Sequence, residues 1–223
     1  MRLEFAICSE ISRVVRLLVI HLIPAVLASG FRAEAASVTL EAEAGALGAD
    51  WIMNNSGSPT FITSSTDGVG GNPGSNARVA TYNVVFPAAG TYELYVRIRV
   101  GPATFNDDSL FYGNGFGTKS PPTDSEWITV NGLAAAGFTG SGNLVAGVGA
   151  DGSQVWKWVN LSQMTNGGGS ENPITFTVPA GQLSQTFQIG AREDGLEIDK
   201  LVFGSAGYQF TVAELDSGGP GTI

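Results

Sequence analysis

Apolar and polar residues alternate along residues 91–100. Tyr92, Leu94, Val96, Ile98 and Val100 fall on one side, and Glu93, Arg97 and Arg99 on the other. A period of two is the mark of a β-strand with one face in a core. Shorter runs of the same kind predict strands at 38–43, 78–86, 109–112, 127–130, 155–161, 174–178, 186–190 and 196–203. Turn chemistry separates them in Pro87-Ala88-Ala89-Gly90, Asn131-Gly132 and Pro179-Ala180-Gly181. Helical periodicity is absent. Many short strands punctuated in this way predict an all-β fold, a sandwich or a barrel. Residues 54–76, 114–126 and 137–153 read as long polar loops, and loops of that length often carry function.

The N-terminal segment follows another rule. Arg2, Arg13 and Arg16 precede an apolar run at 17–27, which is shorter than the ~20 residues a membrane helix needs. Ala33-Glu34-Ala35 then supplies a small-residue cleavage signal, with Ala28-Ser29-Gly30 as a competing one. Residues 1–36 are therefore expected to be a signal peptide and the chain to be secreted. The single Cys (Cys8) and the single His (His21) both lie in that segment. From Ser37 onward seven Lys and Arg face seventeen Asp and Glu, a net charge of −10. An exported domain without cysteine has no disulfide, so its stability rests on its core, with room for a metal to contribute. An acidic surface with no basic patch excludes nucleic acid and anionic membrane as expected partners and is compatible with neutral polysaccharide. The remaining length suits one domain, 37–210. Residues 211–223, with Asp216-Ser217-Gly218-Gly219-Pro220-Gly221, read as the start of a linker or tail.

Three constellations could carry chemistry. Glu41 and Glu43, two apart on an expected strand, share a face. Paired carboxylates repel unless a cation sits between them, and Ca²⁺ takes six to eight such oxygens. Asp199 on the last strand could supply a third. Ordinary acids on a solvated edge strand give the same pattern. Trp156 and Trp158 also share a face, with Lys157 opposite. An aromatic face packs the C–H bonds of a sugar ring, while acids and amides bond its hydroxyls. A tryptophan pair can equally be core, and one of each is expected here. Tyr112 and Asn114 border a loop and could line a ligand, whereas Asp107 and Asp108 read as structural. Without His or Cys, triads, thiol nucleophiles and His-ligated zinc sites are excluded. A two-carboxylate glycosidase stays open, with Glu193 and Glu197 as the pair to test.

In order and coverage, four motifs resemble the calcium-binding β-sandwich carbohydrate-binding modules of families six and thirty-five. They are Leu40-Glu41-Ala42-Glu43, the segment from Phe86-Pro87-Ala88-Ala89-Gly90 to Tyr95-Val96-Arg97, Trp156-Lys157-Trp158, and Gly195-Leu196-Glu197-Ile198-Asp199-Lys200. The resemblance implies a galactose-binding-like jelly roll. It implies a structural Ca²⁺ on Glu41, Glu43 and Asp199, sugar stacking on Trp158, and a hydrogen bond to sugar from Glu197, where the family usually has Asn. The family's second stacking aromatic falls nearest Tyr82. With Tyr208-Gln209-Phe210-Thr211-Val212-Ala213-Glu214-Leu215-Asp216 the pattern also looks like the N-terminal region of secreted bacterial family-ten xylanases. The function so implied is a secreted, non-catalytic module that targets a tethered glycoside hydrolase to plant cell-wall polysaccharide, xylan first. The alternatives are a piece of an endo-1,4-beta-xylanase whose catalytic domain lies downstream, or a small polysaccharide-active catalytic domain.

Overall fold

The computed structural model describes residues 35–68, 70–164, 173–219 and 221. The expected signal segment, up to residue 34, lies outside them. The strands are β1 (Ser37–Glu41), β2 (Ala46–Leu47), β3 (Trp51–Asn54), β4 (Phe61–Ser64), β5 (Val79–Val85), β6 (Gly90–Arg99), β7 (Leu110–Gly113), β8 (Trp127–Val130), β9 (Lys157–Asn160), β10 (Phe176–Val178), β11 (Ser184–Ala191) and β12 (Glu197–Ser205). One helix follows, α1 (Val212–Ser217).

The strands form an all-β sandwich of two antiparallel sheets. One has the order β2-β5-β11-β7-β8. The other runs β10-β6-β12-β4-β3, with β9 beside β10 on β6 and β1 beside β4 on β12. Its spine is the β6–β12 pair, in register from Glu197 opposite Arg99 to Ser205 opposite Tyr92, with one irregularity between Ile198 and Lys200. The period of two along β6 is realised: Tyr92, Leu94, Val96 and Ile98 enter the core between the sheets. An aromatic cluster fills that core, with Phe203 touching Phe86, Phe116, Phe176 and Phe187 at ring-centre distances of 5.0–5.6 Å. Such edge and tilted pairs each add about 0.5–1.5 kcal/mol beyond area burial.

Three expectations are corrected. Residues 38–43 are not one strand: β1 ends at Glu41, and Glu43 sits in a 3-10 turn spanning Ala42–Ala44. Within the expected loop 54–76, Phe61–Ser64 forms β4, because Phe61 and Ile62 are buried against the sheet. Residues 211–217 do not open a linker. Thr211 caps α1, accepting from the Glu214 amide while the Glu214 carboxylate accepts from the Thr211 N–H. This reciprocal cap satisfies two amides that would otherwise be orphaned.

The helix has somewhere to pack. Val212 and Leu215 join Tyr95, Trp158, Val202 and Phe210 in a second apolar cluster on the outer face of the larger sheet. Among the described residues, no helix is long and apolar enough to cross a membrane.

Candidate functional site

β6 sends Arg97 and Arg99 outward, because their neighbours Val96 and Ile98 belong to the core. Register sets Glu197 directly opposite Arg99, and the Arg99 Nε donates to Glu197 Oε2. That bond is the main cause holding Arg99 above its ordinary pKa, ahead of the attraction of the charge itself. Trp156, the residue before β9, lies over the same face. The guanidinium carbons of Arg99 and Arg97 stand 5.0 and 5.6 Å from its ring centre, within cation–π range. Phe61 from β4 meets the same ring at 5.7 Å, tilted by 59°. The loop that joins β3 to β4 closes the fourth side. It is set by Asn54, whose Oδ1 accepts from both the amide and the hydroxyl of Ser56.

These groups enclose an open cavity of ≈ 260 Å³ lined by Asn54, Ser58, Phe61, Arg99, Trp156 and Glu197 among others. Two aromatic faces, a guanidinium, a carboxylate and several small polar groups converge there. That mixture matches a ligand with apolar faces and many hydroxyls.

The sequence-predicted site residues divide. Trp156 and Glu197 meet in this cavity. Trp158 does not join them: it is 1% exposed, packed in the second cluster, and its Nε1 donates to Asp216 Oδ1 at 2.7 Å. It shares that cluster with Val145, Phe210 and Phe138, and so closely buried a ring has no face for a sugar. Tyr82 and Tyr112 are core residues of the smaller sheet, with hydroxyls donating to the Ala42 and Leu161 carbonyls. Burial pushes both phenols well above their ordinary pKa, and for Tyr82 the nearby Glu43 adds to the shift. Asn114 follows β7 in that same sheet. It is exposed and tied to the 114–126 loop through Lys119 and Ser125.

The expected metal ligands are also dispersed. Asp199, 1% exposed, accepts from Arg97 Nη1 at 2.7 Å. Its burial raises its pKa, which Arg97 opposes and Glu41 reinforces. Glu41 Oε1 lies 3.3 Å from Lys200 Nζ. Of these three, Glu43 alone keeps a buried carboxylate oxygen, Oε2, with no hydrogen-bond partner among the described residues. Among the described residues, no three acidic, His or Cys side chains are grouped to hold a metal ion. As placed, the donor set fits a hard cation in part, through Glu43.

The pair considered for hydrolysis is committed elsewhere. Glu193 accepts from the Asp108 amide and from Arg192, and Glu197 from Arg99. Sequence reasoning missed Phe61, Asn54 and the site role of Arg99. The outward position of Arg99 was readable from alternation, but its partners come from strands whose pairing no local pattern encodes.

No family model matches the sequence, and no curated protein matches it. Among solved structures, the chain is similar to a Podospora anserina GH26-CBM35 beta-(1,4)-mannanase, at 15% identity and a TM-score of 0.43, over 77% of this chain and 28% of that one. It is also similar to an Arthrobacter globiformis T6 isomalto-dextranase complexed with panose, at 13% identity and a TM-score of 0.41, over 75% and 23%. The chain thus spans about a quarter of the length of the solved proteins it matches.

Proposed function

We propose that this chain is a secreted, non-catalytic carbohydrate-binding module that holds a tethered glycoside hydrolase on plant cell-wall polysaccharide, xylan first. The observation that carries the reading is the Trp156–Phe61 aromatic wall set beside the Arg99–Glu197 pair in one open cavity. An aromatic wall takes the C–H face of a pyranose, and the paired charges supply donors and acceptors to its hydroxyls. Tethering then raises the local concentration of the linked enzyme at an insoluble substrate. The deciding experiment is pull-down on insoluble xylan and mannan. Trp156→Ala should weaken retention at least tenfold while the melting temperature stays within a few degrees of the parent. Equal retention by parent and variant would remove the cavity from the function.

A structural Ca²⁺ is part of the same proposal, held first through Glu43, with Glu41 and Asp199 joining it only by leaving Lys200 and Arg97. The support is the unpartnered buried Oε2 of the half-buried Glu43, since a buried acceptor left without a partner is costly. A ligand that binds only the native state adds about 2.7 kcal/mol at a hundredfold excess over its Kd. Chelation should therefore lower the melting temperature by about 5–10 °C. Glu43→Gln gives the sign test. With a cation bound, the substitution lowers the melt; without one, it removes a half-buried charge whose Oε2 is unpartnered and the melt stays level or rises. A melt indifferent to chelator, together with a neutral or stabilising Glu43→Gln, defeats the calcium proposal.

A further inference from the structure

We propose that the binding groove is double. It crosses the Arg99–Glu197 pair from the Trp156 cavity into a second cavity beside Gln154, and so takes at least two contiguous sugar units. This rests on the polysaccharide reading above. The second cavity, ≈ 270 Å³, is lined by Val100, Gly101, Pro102 and Gln154, and again by Arg99 and Glu197. The ion pair is thus the shared wall of two cavities. Each alone falls below the roughly 300–1,000 Å³ of small-molecule sites, and the two joined fall within that range.

The free polar atoms point to the same use. Arg99 spends Nε on Glu197, and its two Nη groups make no hydrogen bond among the described residues. Its side chain is 36% exposed and that of Glu197 is 20% exposed, so both are reachable from the groove. Glu197 likewise commits only Oε2. The side-chain amide of Gln154 has no partner among the described residues either. Unspent donors and acceptors along one groove suit a ligand that presents hydroxyls on successive units.

The backbone around the second cavity is strained and held. Thr104 (φ 58°) and Gln154 (φ 60°) are the non-glycine residues with positive φ among the described ones, and both lie at this cavity or on the turn that leaves it. Residues in that region cluster where the surrounding structure over-determines them, often at ligand sites. Here the restraint is visible. The Gln154 amide donates to the Val100 carbonyl at 2.8 Å, and the Thr104 amide to Gly101 at 3.2 Å. The Asp107 carboxylate, 4% exposed, accepts from the Ala103 amide at 2.8 Å. This fixed turn carries Phe105, a large side chain 71% exposed.

The test is calorimetric titration of the purified chain with xylo- and manno-oligosaccharides of one to six units. Affinity for the bound series should rise at least tenfold from one unit to three and then level off. Gln154→Gly removes the side chain at a backbone that glycine adopts freely. It should lower the ratio of trisaccharide to monosaccharide affinity at least fivefold. Gln154→Asn, also tolerant of that backbone, is the second variant should the first fail to fold. Equal affinity for one and three units, or an unchanged ratio in a folded variant, overturns the double groove and leaves the Trp156 site standing. Absence of binding to every oligosaccharide overturns both readings.

Discussion

Trp158→Ala should destabilise the domain by about 3–5 kcal/mol, the cost of truncating a large aromatic in a closed core. The ring is buried against Tyr95, Val145, Val202 and Phe210. Its N–H is the donor that Asp216 at the end of α1 accepts. Truncation therefore opens a cavity and releases the anchor of the helix in one step. Denaturant unfolding monitored by fluorescence should show a lower midpoint, with α1 the first element to lose protection from hydrogen exchange. Trp156→Ala is the counterpart, with binding lost and stability nearly kept. The assignment of the two tryptophans would be reversed by a Trp158→Ala protein that melts normally but no longer retains xylan.

The contrast locates what was legible in the sequence. Alternation correctly set both tryptophans on one face of the chain: Trp158 stands opposite Arg97 in the sheet, and Trp156 lies under Arg97 and Arg99. Which of them meets solvent was not legible, because the cover comes from far along the chain. Phe138 and Val145 belong to a stretch that reads as polar loop, Val212 and Leu215 to one that reads as linker, and Phe210 is the last residue before it. A burial decided by segments that are themselves weakly patterned leaves no local trace at the buried residue.

Glu197 was readable as an outward acid on the last strand. Its partner Arg99 is 98 positions back and becomes its neighbour only through the β6–β12 register. Phe61 sits in a four-residue strand between polar loops, too short to show a period. The one-strand placement of Glu41 and Glu43 gave way on a local detail: the chain leaves the strand at Ala42, so Glu43 lies near Tyr82 while Glu41 stays beside Lys200. The strands themselves were legible wherever one face is core and the run exceeds four residues, as in β5, β6, β11 and β12.

Lys157→Met should cost about 3–5 kcal/mol at pH 7, and that cost should grow as the pH is raised. Lys157 faces inward opposite Ile98 and is 1% exposed. Its ammonium donates to the carbonyls of Leu133 at 2.7 Å, Ala134 at 3.3 Å and Gly152, tying two loops to the end of the sandwich. Methionine keeps the stem but leaves those carbonyls unpaired and Asp108 and Asp151 without their countercharge. Removal of one member of a buried polar set carries a penalty of that size. Burial pushes Lys157 down from its ordinary 10.5 to about 8, against the pull of Asp151 and Asp108. Between about pH 8 and 10.5 the unfolded chain therefore binds more protons at this site than the folded one, so folding stability rises with pH across that window. The slope from one group is at most about 1.4 kcal/mol per pH unit. Below about pH 8 the contribution is absent, because the lysine is protonated in both states. Above about pH 10 the buried tyrosines oppose it, since they ionise in the unfolded chain first. Urea titrations at pH 7, 8, 9 and 9.5 on parent and variant isolate the effect, because every other titrating group is common to both. The gap between the two stabilities should widen from pH 8 to 9.5; a constant gap over that range would show that the ammonium is held at its ordinary pKa and is not desolvated by the fold.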